Sequence, residues 1–97
     1  MDDAFNRLHD ATLVSIQLHW ADRTCEFFFA GAPSIPGPFS LLFDNVADLR
    51  VPSAMPWGPS VSVLQGSFTA GVATFAMQSG DTVTLVSSNY LFKRTPS

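Results

Sequence analysis

Apolar and polar residues alternate along much of this chain, and the alternation has a period of two. In Thr12 to Trp20, Val14, Ile16, Leu18 and Trp20 share one parity while Ser15, Gln17 and His19 take the other. That is the pattern of a half-buried strand. Ala21-Asp22-Arg23 reads as a turn, and Thr24 to Ala30 as a second strand that pairs with the first in a hairpin. Phe27, Phe28 and Phe29 are consecutive, so this strand points aromatic side chains at both faces and is expected to be covered on both sides. Gly31 to Phe39, with three Pro and two Gly, cannot be a regular element. It is expected to be a rigid excursion or a lip over a site.

Phe39 to Asp44 reads as a third strand. Residues 45–50 are expected to form one helical turn capped by Asp44 or Asn45. A second Pro-rich connector, Val51 to Ser60, carries Met55 and Trp57. Ser60 to Phe68 reads as a fourth strand with Gly66 as a bulge or bend. Gly71 to Gln78 and Thr82 to Ser88 read as a hairpin turning at Ser79-Gly80-Asp81, with Gly80 placed for a positive φ. Tyr90 and Phe92 extend the last strand. The expected fold is therefore mostly β: about six antiparallel strands in a sandwich or strongly curved sheet, with at most one helical turn near 45–50.

At 97 residues the chain is one domain, spanning 1–97. Hydrophobic residues make up 46% and charged residues only 13%, about half the ordinary charged share. A small chain this apolar is expected to present hydrophobic surface to a second chain, either a protein partner or a copy of itself. The net charge is −3 and the five Lys and Arg are scattered, which argues against nucleic-acid binding. No apolar run approaches a membrane span and no signal peptide is visible, so a cytoplasmic location is expected. With one cysteine, no intramolecular disulfide or Cys-based metal site can form. Cys25 is expected to behave as a small buried hydrophobe. No cofactor motif occurs.

The chemistry-bearing residues are few. His9-Asp10 could hold a metal or move a proton, but the chain has only two histidines and lacks zinc-site spacing. The structural reading is stronger. Asp10 and Thr12 hydrogen-bond backbone where the chain enters the first strand, and His9 bridges to a neighbouring carbonyl. His19, on the polar parity, would need an oriented Asp22 or Glu26 to act as a base. Glu26 is expected on a solvated face or edge. No nucleophile elbow and no phosphate-binding loop is present. The aromatics carry more weight, because Trp20 and Trp57, with Phe39, Phe43, Phe68 and Phe75, exceed what a core this small needs. Trp57 reads as a lid on one end of the sheet, as an interface anchor, or as a wall of an apolar cleft.

Leu8-His9-Asp10-Ala11-x-Leu13-x-x-Ile16, followed by a turn and an apolar strand, resembles the opening of small bacterial proteins of unknown function, some of them similar to immunity proteins encoded beside polymorphic toxins. Phe43-Asp44-Asn45-Val46-Ala47-Asp48-Leu49 resembles the F-x-x-V-x-x-L stretch found midway along such chains. The Gly80-Asp81 turn into Thr82-Val83-Thr84-Leu85 and Ser87-Ser88 resembles their closing hairpin. The two Pro-rich connectors and the Phe triplet depart from the pattern. The resemblance implies an antiparallel β fold without enzymatic activity and carries no catalytic residue across. The expected function is a non-catalytic interaction domain, an immunity-like inhibitor by that resemblance, acting through Trp57, Met55 and Trp20. The alternatives are a small-molecule binding module with an apolar cleft, and a small hydrolase that would need His9, His19 and a carboxylate within reach of one another.

Overall fold

Eight strands follow one another in a computed structural model that describes residues 7–51, 61–78 and 80–94. They are β1 (Thr12–His19), β2 (Thr24–Gly31), β3 (Phe39–Asp44), β4 (Asp48–Arg50), β5 (Val61–Thr69), β6 (Val72–Met77), β7 (Thr82–Val86) and β8 (Asn89–Arg94). All pairings are antiparallel, within one unclosed sheet of order β4-β7-β6-β5-β1-β2-β3-β8. The all-β antiparallel class is as expected, but the strand number rises from six to eight for two reasons.

The first reason lies at 45–50, where a helical turn was expected. Asn45 is left-handed, with φ +52°, which interrupts a right-handed helix at its start. The next two donors bond across strands instead, Val46 N–H to Arg23 O at 2.9 Å and Ala47 N–H to Val86 O at 2.8 Å. Asp48–Arg50 then runs extended beside β7, with Leu49 opposite Leu85. The second reason is Ser87, where the last expected strand breaks. Its buried hydroxyl donates to the Asp44 carbonyl, with the Asn89 carbonyl also within 2.8 Å. Ser87 N–H bonds Gly71 O at 2.9 Å.

These two interruptions face each other. Residues 39–44 pair with 94–89, and 48–50 pair with 86–84. Three residues on one side of the corner (45–47) therefore oppose two on the other (87–88), a one-residue bulge of the kind that bends a sheet. Through this corner the β3–β4 and β7–β8 segments form one bent ribbon. The sheet folds over, and the half made of β1, β2, β3 and β8 faces the half made of β4, β5, β6 and β7. Phe27 on β2 stacks on Phe75 of β6, with ring centroids 4.8 Å apart.

The halves also join where β1 meets β5, through only Thr12↔Ser62 and Leu13↔Val61. Bulges flank that short ladder, between Leu13 and Ser15 in β1 and between Val63 and Gln65 in β5. The first corrects the expected parity of β1. Val14 is the inserted residue and is exposed, while Leu13 faces the core, followed by Ile16 and Leu18. The second moves the expected bulge from Gly66 to Leu64. Gly66 stays in regular register opposite the buried Phe75, whose ring meets Phe27, Phe29 and Phe43.

The Phe triplet divides between the faces. Phe27 and Phe29 are buried, while Phe28 points outward and is only half-buried. No layer covers that outer face among the described residues, so the expected two-sided covering is not seen. The Pro-rich loop after β2 is a plug rather than a lip: Ala32 and Ile35 exchange backbone hydrogen bonds of 2.9 and 3.0 Å, and Ile35 is fully buried. The β6–β7 hairpin turns at Gly80, φ +100°, as its position suggested.

Candidate functional site

Trp57 and Met55 lie outside the described residues. Trp20, the remaining expected interaction residue, stands just past the end of β1 and is 80% exposed. The turn that holds it closes through Arg23 N–H to Trp20 O at 3.3 Å, with Arg23 at φ +55°. Arg23 O in turn accepts from Val46 N–H, which ties the hairpin tip to the β3–β4 corner. The result is a shallow depression between the tip and the corner. Two adjoining hollows of about 160 and 150 Å³ share Leu18, Trp20, Val46 and Ala47. Arg23 lines one, and Asp48 and Leu49 line the other. Arg50 Nε lies 3.1 Å from Asp48 Oδ2 in an exposed pair next to this rim.

The floor of the depression is apolar and the rim carries charges of both signs. A small-molecule site usually encloses about 300–1,000 Å³. Each hollow is about half the lower figure, and side by side they form a shallow, open trough that suits apolar side chains brought by another surface. Val46, Ala47 and Leu49 were expected in a helical turn, with no assigned role. Their part in the depression depends on a long-range hydrogen bond from Val46 to Arg23, and the only local signal was an apolar Val in a polar stretch.

His9 and Asp10 sit at the opposite end of β1. Asp10 is left-handed, φ +62°, and its N–H bonds Val63 O at 2.8 Å. His9 Nδ1 donates to the Leu64 carbonyl, the bulged residue of β5, at 2.7 Å. His9 Nε2 lies 3.5 Å from Asp10 Oδ2, and Gln78 Nε2 donates to Asp10 Oδ1 at 3.3 Å. The group fastens the entry of β1 to β5 and to the end of β6. Its side chains are open to solvent, His9 by 67%. His19 is at the far end of β1, on the order of 25 Å away by strand rise. The structure therefore does not bring the two histidines together. Among the described residues, no group of three or more His, Cys, Asp and Glu could hold a metal ion.

Glu26 is less solvated than expected. On the outer face of β2, its Oε2 accepts from the Ser40 hydroxyl at 2.6 Å and lies 3.5 Å from Lys93 Nζ. This polar cluster crosses three strands and lets Ser40, itself buried, satisfy its hydroxyl. Cys25 is fully buried at the inner face, and burial pushes its thiol up to about 11.

Comparison with known proteins adds the fold alone. No protein-family model matches the chain, and no curated protein matches it. The crystal structure of an uncharacterized protein from Neisseria gonorrhoeae is similar in fold, with a TM-score of 0.56 over 90% of this chain and 93% of that one, at 11% identity.

Proposed function

We propose that this domain acts by binding another protein rather than by catalysis, as an immunity-like inhibitor of a bacterial toxin. The observation that carries the reading is the depression at the hairpin tip. A tryptophan exposed over most of its surface stands beside a hollow floored by Leu18, Val46 and Ala47. Exposed Trp beside an apolar pocket, rimmed by charge, is the anatomy of an interface hot spot. A partner side chain filling the hollow would bury the indole face, while Arg23 and Asp48 would select the orientation. The shallow, open form of the depression favours this over an enclosed small-molecule cleft. The toxin class of the partner rests on the resemblance of the opening, middle and closing motifs.

The test is affinity capture with the intact chain and with Trp20→Ala. Trp20 contributes little burial, so the variant is expected to keep the wild-type urea midpoint. Loss of a hot-spot Trp weakens binding by at least about 2 kcal/mol, some thirtyfold. A stoichiometric protein retained by the wild type and lost by Trp20→Ala supports the reading. A partner held equally by both places the interface elsewhere.

A further inference from the structure

β8 ends the sheet on the side of β3, with all six of its residues in register against that strand. End strands offer backbone N–H and C=O groups to any passing strand, and proteins blunt them by shortness, Pro, bulges or projecting charges. The other end strand, β4, is three residues long and so is blunted by its length. β8 has no Pro and no bulge against β3. Its two cations are drawn back over the subunit itself. Lys93 Nζ reaches Glu26 on β2, 3.5 Å away, and Arg94 donates to Pro36 O at 3.0 Å. Beside them Leu91 is 57% exposed on the outer face.

The sequence of β8, NYLFKR, selects its own partner. An added antiparallel strand must set outward residues against outward and inward against inward, because a one-residue slip exchanges the faces. Leu91 and Lys93 share the outward face, while Tyr90 and Phe92 pack against the core. Laid against a second copy with Leu91 opposite the partner's Leu91, Tyr90 meets the partner's Phe92 and Asn89 meets the partner's Lys93. Apolar residues then meet apolar residues on both faces. The Lys93-Arg94 end of each strand lies beside the end where Asn89 adjoins the exposed carboxylate of Asp44. A shift of two residues either way sets Leu91 against the partner's Asn89 or the partner's Lys93 and loses this match.

We propose that β8 is the pairing edge of a two-fold symmetric homodimer, with the axis passing through the Leu91 pair and the sheet continuing across the interface. A six-residue edge buries less than the roughly 1,200 Å² of a standard interface, so association is weak, with a Kd of about 10 μM or more. β1 and β8 lie at opposite sides of their half of the sheet. Trp20, past the end of β1, therefore stands away from the pairing edge, and Trp20→Ala leaves that edge intact.

Sedimentation across a concentration series reaching about 1 mM, well above that Kd, reads the association. Wild type is expected to pass from monomer to dimer, with Leu91→Lys at least tenfold weaker and Trp20→Ala unchanged. Under mild oxidation Leu91→Cys is expected to give a covalent dimer, since directly opposite residues bring their Cβ atoms to about 5 Å. Asn89→Cys and Lys93→Cys are expected to cross-link when mixed, but neither alone. Cys25 is buried and stays outside this chemistry. A monomer at every concentration overturns the proposal. So does a dimer unaffected by Leu91→Lys, or one that cross-links through Asn89→Cys or Lys93→Cys alone. Loss of toxin binding in Trp20→Ala with unchanged sedimentation would separate the two readings.

Discussion

Truncating Phe27 to Ala is expected to cost several times as much as truncating Phe28, although the two are adjacent and chemically identical. Phe27 is fully buried, 4.8 Å from the Phe75 ring in a stacked pair and 5.5 Å from Phe43 edge-on. A buried Phe→Ala change costs about 3–5 kcal/mol in transfer and cavity terms. Two aromatic pairs on the same ring place Phe27 toward the top of that range, at about 4–5 kcal/mol. Phe28 faces out from the same strand and is only half-buried, so its truncation removes about 1 kcal/mol. A domain this size has a total stability of about 5–15 kcal/mol, so Phe27→Ala leaves little margin while Phe28→Ala leaves nearly all of it. Urea denaturation followed by fluorescence reads both. With a slope of about 1.5 kcal/mol/M, the midpoint falls by about 3 M for Phe27→Ala and by less than 1 M for Phe28→Ala. Phe27→Leu, which keeps most of the volume, preserves the comparison if the Ala variant does not fold. Equal midpoint shifts, or a larger one at Phe28, would refute the packing of the two halves on one face of β2.

Two further outcomes test the interior and the turns. The Cys25 thiol is held up to about 11 against an ordinary 9.0, so between those values the unfolded chain releases a proton that the folded chain keeps. Stability should be whole below about pH 9 and fall by up to about 2 kcal/mol toward pH 11, and Cys25→Ala should flatten that part of the profile in urea midpoints measured along the range; parallel profiles would remove the thiol as the cause. At the β5–β6 turn, Ala70 (φ +54°) and Gly71 (φ +79°) both occupy left-handed conformations, and a Cβ added at Gly71 would lie 3.1 Å from Ser87 O. Ala70→Gly should therefore stabilise by about 0.5–1 kcal/mol and Gly71→Ala destabilise by about 1–3 kcal/mol, and thermal melts giving both the same sign would contradict that turn geometry.

The strands legible in the sequence were those whose signals are local. Phe39–Asp44 has the expected bounds, and the β1–β2 and β6–β7 hairpins follow from alternation and from Gly80. What stayed hidden depends on partners far along the chain. Val14 reads as one more member of an apolar alternation until β2 and β5 compete for the same strand and a bulge ejects it. Asp44-Asn45 reads as a helix cap because both residues cap helices well. The same short polar side chain lets Asn45 take the left-handed conformation that ends β3 instead. No local rule separates these uses, since the choice is made by Arg23 and Val86, which take the next two N–H groups. Of the candidate site, Trp20 was legible as a surplus aromatic, although the alternation read it as the last apolar position of the first strand, whereas its neighbours Val46, Ala47 and Leu49 were not legible.

The surplus of aromatic residues looks different once the fold-over is known. Phe39, Phe43 and Phe75 are fully buried, and Phe68 packs against that cluster, reaching Phe43 and Tyr90 at 6.4 and 5.1 Å. A sheet folded on itself has no helical layer to fill its interior, so large side chains from both halves must meet in the middle. Rings bury more area per residue than aliphatic side chains do, which suits a core that so short a chain must fill. Most of the Phe content is therefore structural. Among the described aromatic residues Trp20 is the exposed exception, held out by a turn that the Arg23–Val46 hydrogen bond ties to the corner. Its position beside an apolar hollow makes it the informative remainder among the described aromatics, and it is why the capture experiment turns on Trp20 rather than on aromatic content at large.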